Sequence, residues 1–198
     1  MYPLTLAGHF IVLREFRPDD VTEALGVGGD DRVTQWLSYE SRDFTGMTAV
    51  IAEAITIARQ APRTEFFMAV ALPCGPLVGF GRLTLDGVQA GKLGYAINPN
   101  YWRRGYGSDV ARTLAAFGFD TLGLHRISAA ISPGNTASIR VAKGLGMIYE
   151  GRIRHHVRRA SMWRDSLLYS VLEHEWVANA DQPEQAQAAD TGHRGQAS

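Results

Sequence analysis

Tyr101-Trp102-Arg103-Arg104-Gly105-Tyr106-Gly107-Ser108 stands between a predicted strand and a predicted helix. Before it, Gly91–Asn98 (GKLGYAIN) reads as a strand, and the glycine inside it, Gly94, marks a bulge or a close backbone approach. After it, a helix is predicted from Gly105 onward, with Val110, Leu114, Phe117 and Phe119 among its apolar positions. Glycines at 105 and 107 let the backbone turn with its N–H groups aligned, and the helix N-terminus adds the positive end of its dipole. Together they seat an anion such as a pyrophosphate. Arg103 and Arg104 stand ready to add charge-assisted bonds to phosphate. The same residues would also make a plain glycine turn with solvated arginines. A dinucleotide-binding fingerprint does not fit, because its third glycine position is Val110 and no acidic residue closes a strand about 20 residues on. A nucleotide P-loop fails because no Gly-Lys-Ser/Thr follows.

Thirty residues later, Ser132–Met147 (SPGNTASIRVAKGLGM) follows a short predicted strand, Arg126–Ser132. It opens a helix over Asn135–Gly144 that Gly144-Leu145-Gly146 stops. Asn135 is suited to cap that helix. Toward the N-terminus, His9–Phe16 reads as a strand, Arg17-Pro18-Asp19-Asp20 as a helix start, and Thr45–Gln60 as a helix with apolar residues at helical spacing. Glu65–Leu72 and Leu77–Leu85 read as a hairpin around Pro73-Cys74-Gly75-Pro76. Ile148–Val157 and Ser166–Trp176 read as two closing strands, with Tyr149 in the core. This order predicts an α/β chain of the α+β type: a mixed, mostly antiparallel central sheet with helices on both faces. Residues 1–177 form one domain in this reading. The tail 178–198 is polar, without apolar periodicity, and is predicted to be disordered.

Composition excludes several classes. Twenty basic and twenty acidic side chains give a formal net charge of zero, so general adhesion to nucleic acid or membrane is not expected. The single cysteine, Cys74, lies in the predicted turn and rules out an intramolecular disulfide. Paired Cys/His spacing is absent, so no metal site is predicted. With no signal-peptide pattern at Met1–Gly8 and no long apolar run, a cytoplasmic location is expected.

YWRRGYG followed by NTASIRVAKGLGM resembles the GNAT acetyltransferase superfamily, and within it the RimJ/RimL-type branch of ribosomal-protein N-terminal acetyltransferases. LREFRPDD, LGYAINPNYW, LHRISAAI, GMIYEGRIR and WRDSLLYSVLEHEW support it, and the resemblance extends from His9 to Trp176. It implies acetyl-coenzyme A as cosubstrate, no metal, an amine acceptor, and a monomer or homodimer. The acceptor is either a peptide N-terminus or a small molecule. By resemblance, the strand containing Gly94–Ile97 splays from the strand that begins near Arg126, and the thioester lies in the gap. Ile97 would offer its backbone N–H to the acetyl oxygen. Arg103, Arg104, Gly105, Tyr106, Gly107 and Ser108 would hold the pyrophosphate, with Trp102 a departure from the family's Gln/Arg. Asn135 would contact the pantetheine arm or a bound water.

The tyrosine that many members use as general acid corresponds to Ala142, while the branch resemblance puts Ser138 beside the departing thiolate. The family's base positions correspond to Lys92 and Val157, neither of them acidic. Histidines titrate in the range useful to a base, which makes His155 and His156 candidates, one on each face of a regular strand. Glu15 and Asp43 are further candidates. Lacking an evident base, the chain is expected to favour an α-amine or another weakly basic amine, which loses its proton more readily than a lysine side chain. Trp36, Tyr39, Phe44 and Trp163 flank the acceptor side in relatives, and packing accounts for them equally well. The mechanism expected is direct attack in a ternary complex. The alternative is a non-catalytic acyl-coenzyme A sensor or regulatory module on the same fold.

Overall fold

Apolar, β-branched and aromatic stretches line up into one eight-stranded sheet, described over residues 1–180 in a computed structural model. The strands are β1 (Thr5–Ala7), β2 (Val12–Arg14), β3 (Glu65–Ala71), β4 (Leu77–Leu85), β5 (Ala90–Ile97), β6 (Arg126–Ile131), β7 (Ile148–Arg159) and β8 (Met162–Leu172). Their order across the sheet is β1-β2-β3-β4-β5-β6-β8-β7, and every neighbouring pair is antiparallel except β5 and β6.

Alternation along the strands sends side chains into two cores. Ala69, Phe80 and Ala96 pack with Val27, Met47 and Ile51 of the helices α1 (Val21–Gly28) and α3 (Phe44–Ala58); a short α2 (Asp31–Thr34) joins them. On the opposite face Met68, Leu93, Ile97 and Ile127 pack with Val110 and Leu114 of α4 (Tyr106–Ala116) and Ala142 of α5 (Thr136–Gly144). Leu114 is fully buried, and truncating such a residue to alanine costs about 2–5 kcal/mol. The expected mixed sheet with helices on both faces is therefore present.

Several boundaries differ from the sequence reading, each for a local reason. The strand expected over His9–Phe16 shrinks to Val12–Arg14 because the N–H groups of His9, Phe10 and Ile11 are captured by the Asp109 carboxylate, at 2.9, 2.6 and 3.1 Å. The short β1 was not anticipated. The last strand ends at Leu172, and Trp176 lies instead in α6 (Glu173–Ala180), stacked on Phe119 at 5.6 Å. That helix crosses the boundary expected at residue 177, while 181–198, the bulk of the expected disordered tail, lies outside the described residues. Tyr149 is half exposed on β7, where it leans on Tyr169 rather than entering the core. Gly94 marks no bulge: it pairs in register with Arg82, and a Cβ there would meet no atom within 4 Å. Among the described residues no helix is long and apolar enough to cross a membrane.

Candidate active site

The loop before α4 turns tightly into an uncapped helix N-terminus flanked by two arginines. Arg103 and Gly105 both take left-handed backbone, φ +62° and +81°, on either side of Arg104. Gly105 is the N-cap of α4 and has no side chain to satisfy the first turn, whose first helical bond runs from Asp109 N–H to Gly105 C=O at 3.0 Å. Helix geometry therefore leaves the N–H groups of Tyr106, Gly107 and Ser108 without intrahelical acceptors, at the positive end of the dipole. The guanidiniums of Arg103 and Arg104 are exposed beside them, and Arg104 lies over the Tyr101 ring at 5.4 Å. Trp102 pins the loop to the sheet by donating its indole N–H to Ile97 C=O at 2.7 Å. Asp109, in the same first turn, is occupied on the far side by the three N–H groups of residues 9–11.

The sheet opens directly beneath this loop. Parallel pairing of β5 with β6 covers only Ala90–Lys92 against Arg126–Ser128, after which the strands separate. A cleft of about 650 Å³ fills the opening and runs from the α4 N-terminus, past Gly94–Ile97, to Ala129–Ser132 and the start of α5. Asn98 N–H bonds Val78 C=O on β4, so even-numbered residues of β5 turn their polar backbone toward β4. Alternation then aims the N–H groups of Tyr95 and Ile97 into the opening. The splayed pair expected from the sequence is thus present, with Ile97 on its wall.

Asn135 and Ser138 line the same cleft. Asn135 caps α5, its side-chain oxygen accepting the Ser138 N–H at 3.1 Å. The Ser138 hydroxyl lies 3.4 Å from the hydroxyl of Tyr95, a residue the sequence reading passed over. Burial pushes the Tyr95 phenol above its usual range, against the opposing effect of the Ser138 contact, so it stays protonated at neutral pH. The signal for it lay in GKLGYAIN: alternation groups Leu93, Tyr95 and Ile97 on one face, and Tyr95 alone brings a proton there. Gly107 also has a packing reason. A Cβ on it would sit 2.9 Å from the Tyr95 ring, so any larger residue would push the tyrosine aside.

Beside the cleft lies a second cavity of about 250 Å³, and Trp36, Leu37, Ala130 and Ser132 wall both. Arg164 of β8 ties this end together by donating to the carbonyls of Gln35 and Leu37. Of the four flanking aromatics, Trp36 alone lines either cavity; Tyr39 lies under Arg42 at 4.8 Å, Phe44 is exposed, and Trp163 stacks on His155. Glu15 is engaged by Arg63 at 2.6 Å and Asp43 caps α3, so neither serves the cleft. His156 lines the second cavity and His155 does not.

Residues 11–148 match the model of the acetyltransferase (GNAT) domain. The chain is 39% identical over 85 residues to the uncharacterized N-acetyltransferase YnaD of Bacillus subtilis, covering 43% of this chain and half of that protein's length. It is 25% identical over 180 residues to the uncharacterized N-acetyltransferase p20 of Bacillus licheniformis, covering 87% of this chain and 98% of the relative. Among solved structures, Mycobacterium smegmatis RimJ in complex with CoA-disulfide superposes with a TM-score of 0.76 at 20% identity, covering 90% of this chain and 96% of that one. The family match takes in well over half of the sequence and includes the glycine loop before α4, the opened strands and the capped helix, so this chain belongs to the GNAT acetyltransferase family.

Proposed function

We propose that this protein transfers an acetyl group from acetyl-coenzyme A to an amine, with both substrates bound together. The observation that carries this reading is the cleft that runs from an anion seat through an opened sheet, with a second cavity sharing its wall at Trp36, Leu37, Ala130 and Ser132. A ligand with a diphosphate at one end and a long amide-bearing arm fits it. Arg103, Arg104 and the N–H groups of Gly105–Ser108 would hold the diphosphate. The arm would lie along β5, where Gly94 leaves room, with Asn135 at its side. Ile97 N–H would stabilise negative charge on the acetyl oxygen as the amine attacks, the kind of contact that strengthens in the transition state. Ser138, backed by the protonated Tyr95, would give a hydrogen bond to the sulfur as the C–S bond breaks.

The acceptor side is poor in carboxylates. Asp165 is the one acid among the residues lining the two cavities, and it already accepts the His155 N–H at 2.9 Å. Arg103, Arg140 and Arg164 line them as well. A polycationic amine would meet no matching charge there, so the acceptor is a single amine on a neutral or acidic compound. The α-amine of a peptide, as in the RimJ/RimL-type branch, meets that description. The test is acetyl-coenzyme A turnover with a panel of N-terminal peptides, free amino acids and spermidine. Transfer to a peptide or amino-acid α-amine is the expected result. Coenzyme binding without turnover on any amine would refute the reading and leave a sensor; efficient turnover of spermidine would refute the acceptor assignment.

A further inference from the structure

We infer that His156 is the general base that takes the proton from the acceptor amine, held for that task by a bulge in β7 and by Ser166. The inference rests on the acetyl-transfer reading and supplies the proton acceptor which that reading leaves open. Along the β7–β8 hairpin, Ile153 pairs with Ser166 and Val157 pairs with Arg164. Four steps on β7 therefore match two on β8, so Arg154, His155 and His156 together face Asp165 alone. Such bulges re-aim side chains and recur beside active sites. The backbone is strained to make this one: His155 takes φ +49°, in a region that non-glycine residues seldom occupy. Asp165 Oδ1 holds the strained turn by accepting the His155 N–H at 2.9 Å.

The bulge places the two histidines differently. His155 lies flat against Trp163, with ring centroids 6.2 Å apart. His156 lines the second cavity, which shares Trp36, Leu37, Ala130 and Ser132 with the cleft. Its Nδ1 is 3.0 Å from the hydroxyl of Ser166, a residue almost wholly buried. A proton on Nδ1, donated to Ser166 Oγ, leaves the lone pair on Nε2 for the cavity. The ionisable groups around the ring are Arg164 and Asp165 on β8, and Arg154 and His155 in the same bulge; Trp36–Ser38 and β6 contribute none to the cavity wall. Arg164 is spent on the carbonyls of Gln35 and Leu37, and Asp165 on the bulge and on Arg152 at 3.4 Å. Neither is free to replace His156.

In the step proposed, a proton moves from the acceptor ammonium to Nε2, and the freed lone pair forms the C–N bond to the acetyl carbon. The C–S bond breaks and the thiolate takes a proton from the Ser138 side, which the second proton lost by the attacking nitrogen replaces through solvent; His156 releases its proton to solvent, leaving amide and thiol.

The test is H156N, whose side-chain amide keeps a donor near Ser166 and offers no base. Its kcat/KM should fall about 10²-fold or more. The acid limb of the wild-type pH profile, other than that of the amine itself, should vanish, with the melting temperature and acetyl-coenzyme A affinity unchanged. Nitrogen-15 NMR of wild type should find His156 as the Nδ1–H tautomer. Ser166 is a positioning residue: S166A should lose that tautomer preference and part of the rate, and S166T should restore both. An H156N enzyme matching wild type in rate and profile, or one that loses coenzyme affinity and stability together with rate, would overturn the base assignment while acetyl transfer stands. A wild type that binds acetyl-coenzyme A and acetylates no amine would overturn the underlying reading and this assignment with it.

Discussion

Gly107→Ala isolates the contact that organises the middle of the cleft. Alanine favours a helix over glycine by about 1 kcal/mol, and position 107 has no left-handed φ to forbid a side chain. Propensity alone therefore predicts a gain in stability. The added Cβ, however, would lie 2.9 Å from Cε2 of Tyr95, 3.4 Å from Cζ and 3.5 Å from the hydroxyl. Carbon atoms rest at roughly 3.5–4.0 Å, so the ring must retreat by about 0.5 Å or more. Overpacking of this kind costs about 1–3 kcal/mol, which outweighs the propensity term and leaves a net loss of about 1 kcal/mol. In a domain of this size that lowers the melting temperature by about 2–4 °C. The retreat also stretches the Tyr95–Ser138 contact, already 3.4 Å, so kcat should drop with the stability. Thermal melts of G107A, Y95A and the double variant form the assay. In the Y95A background the same alanine should be neutral or stabilising, a coupling that marks direct contact. A G107A protein that melts higher than wild type would refute the packing argument.

Ser138→Ala should lower kcat about 10-fold to 100-fold and leave the coenzyme dissociation constant alone, the pattern of an interaction made mainly in the transition state; steady-state rates with calorimetry check it. Asp109→Ala removes the acceptor for three N–H groups, that of the buried Ile11 among them, and should cost about 3 kcal/mol in denaturant unfolding. The Glu150 carboxyl is held down to about 2, from 4.5, by hydrogen bonds from Arg126 and Ser170. A lowered carboxyl pKa stabilises the fold above pH 4.5 and ceases to do so as pH falls toward 2. The pair is about one-third exposed, so Glu150→Gln should cost no more than about 1 kcal/mol at pH 7 and flatten the stability curve between those two pH values.

The elements that recur with a strong period were readable in advance: the hairpin of β3 and β4, the apolar stripe of α4, and the Asn135 cap. The turn into α4 was readable too, because Gly105 takes the left-handed backbone that the chain needs there. What escaped depends on distant partners. Tyr95 becomes a candidate through Ser138, 43 positions away. The N-terminal strand stops short because Asp109, about 100 positions on, competes for its N–H groups. A strict alternation along β7 would have put His155 and His156 on opposite faces, and only the unequal pairing with β8 shows that a bulge intervenes. Sequence period describes a strand alone, and a bulge is a property of two.

The short parallel contact between β5 and β6 has a consequence for the molecule as a mechanical object. Five strands on one side and three on the other are stitched by three residue pairs, and the Gly123 turn that leads across the seam is open to solvent space. The two halves still share one apolar core on the α4 face, so they cannot drift apart freely. A ligand laid in the opening would take the place of the missing rungs, bonded to one half through β5 and resting on the other through α5. Occupancy would then act as a clasp: the filled protein would unfold as one body, and the empty one would be weakest along the seam between β5 and β6.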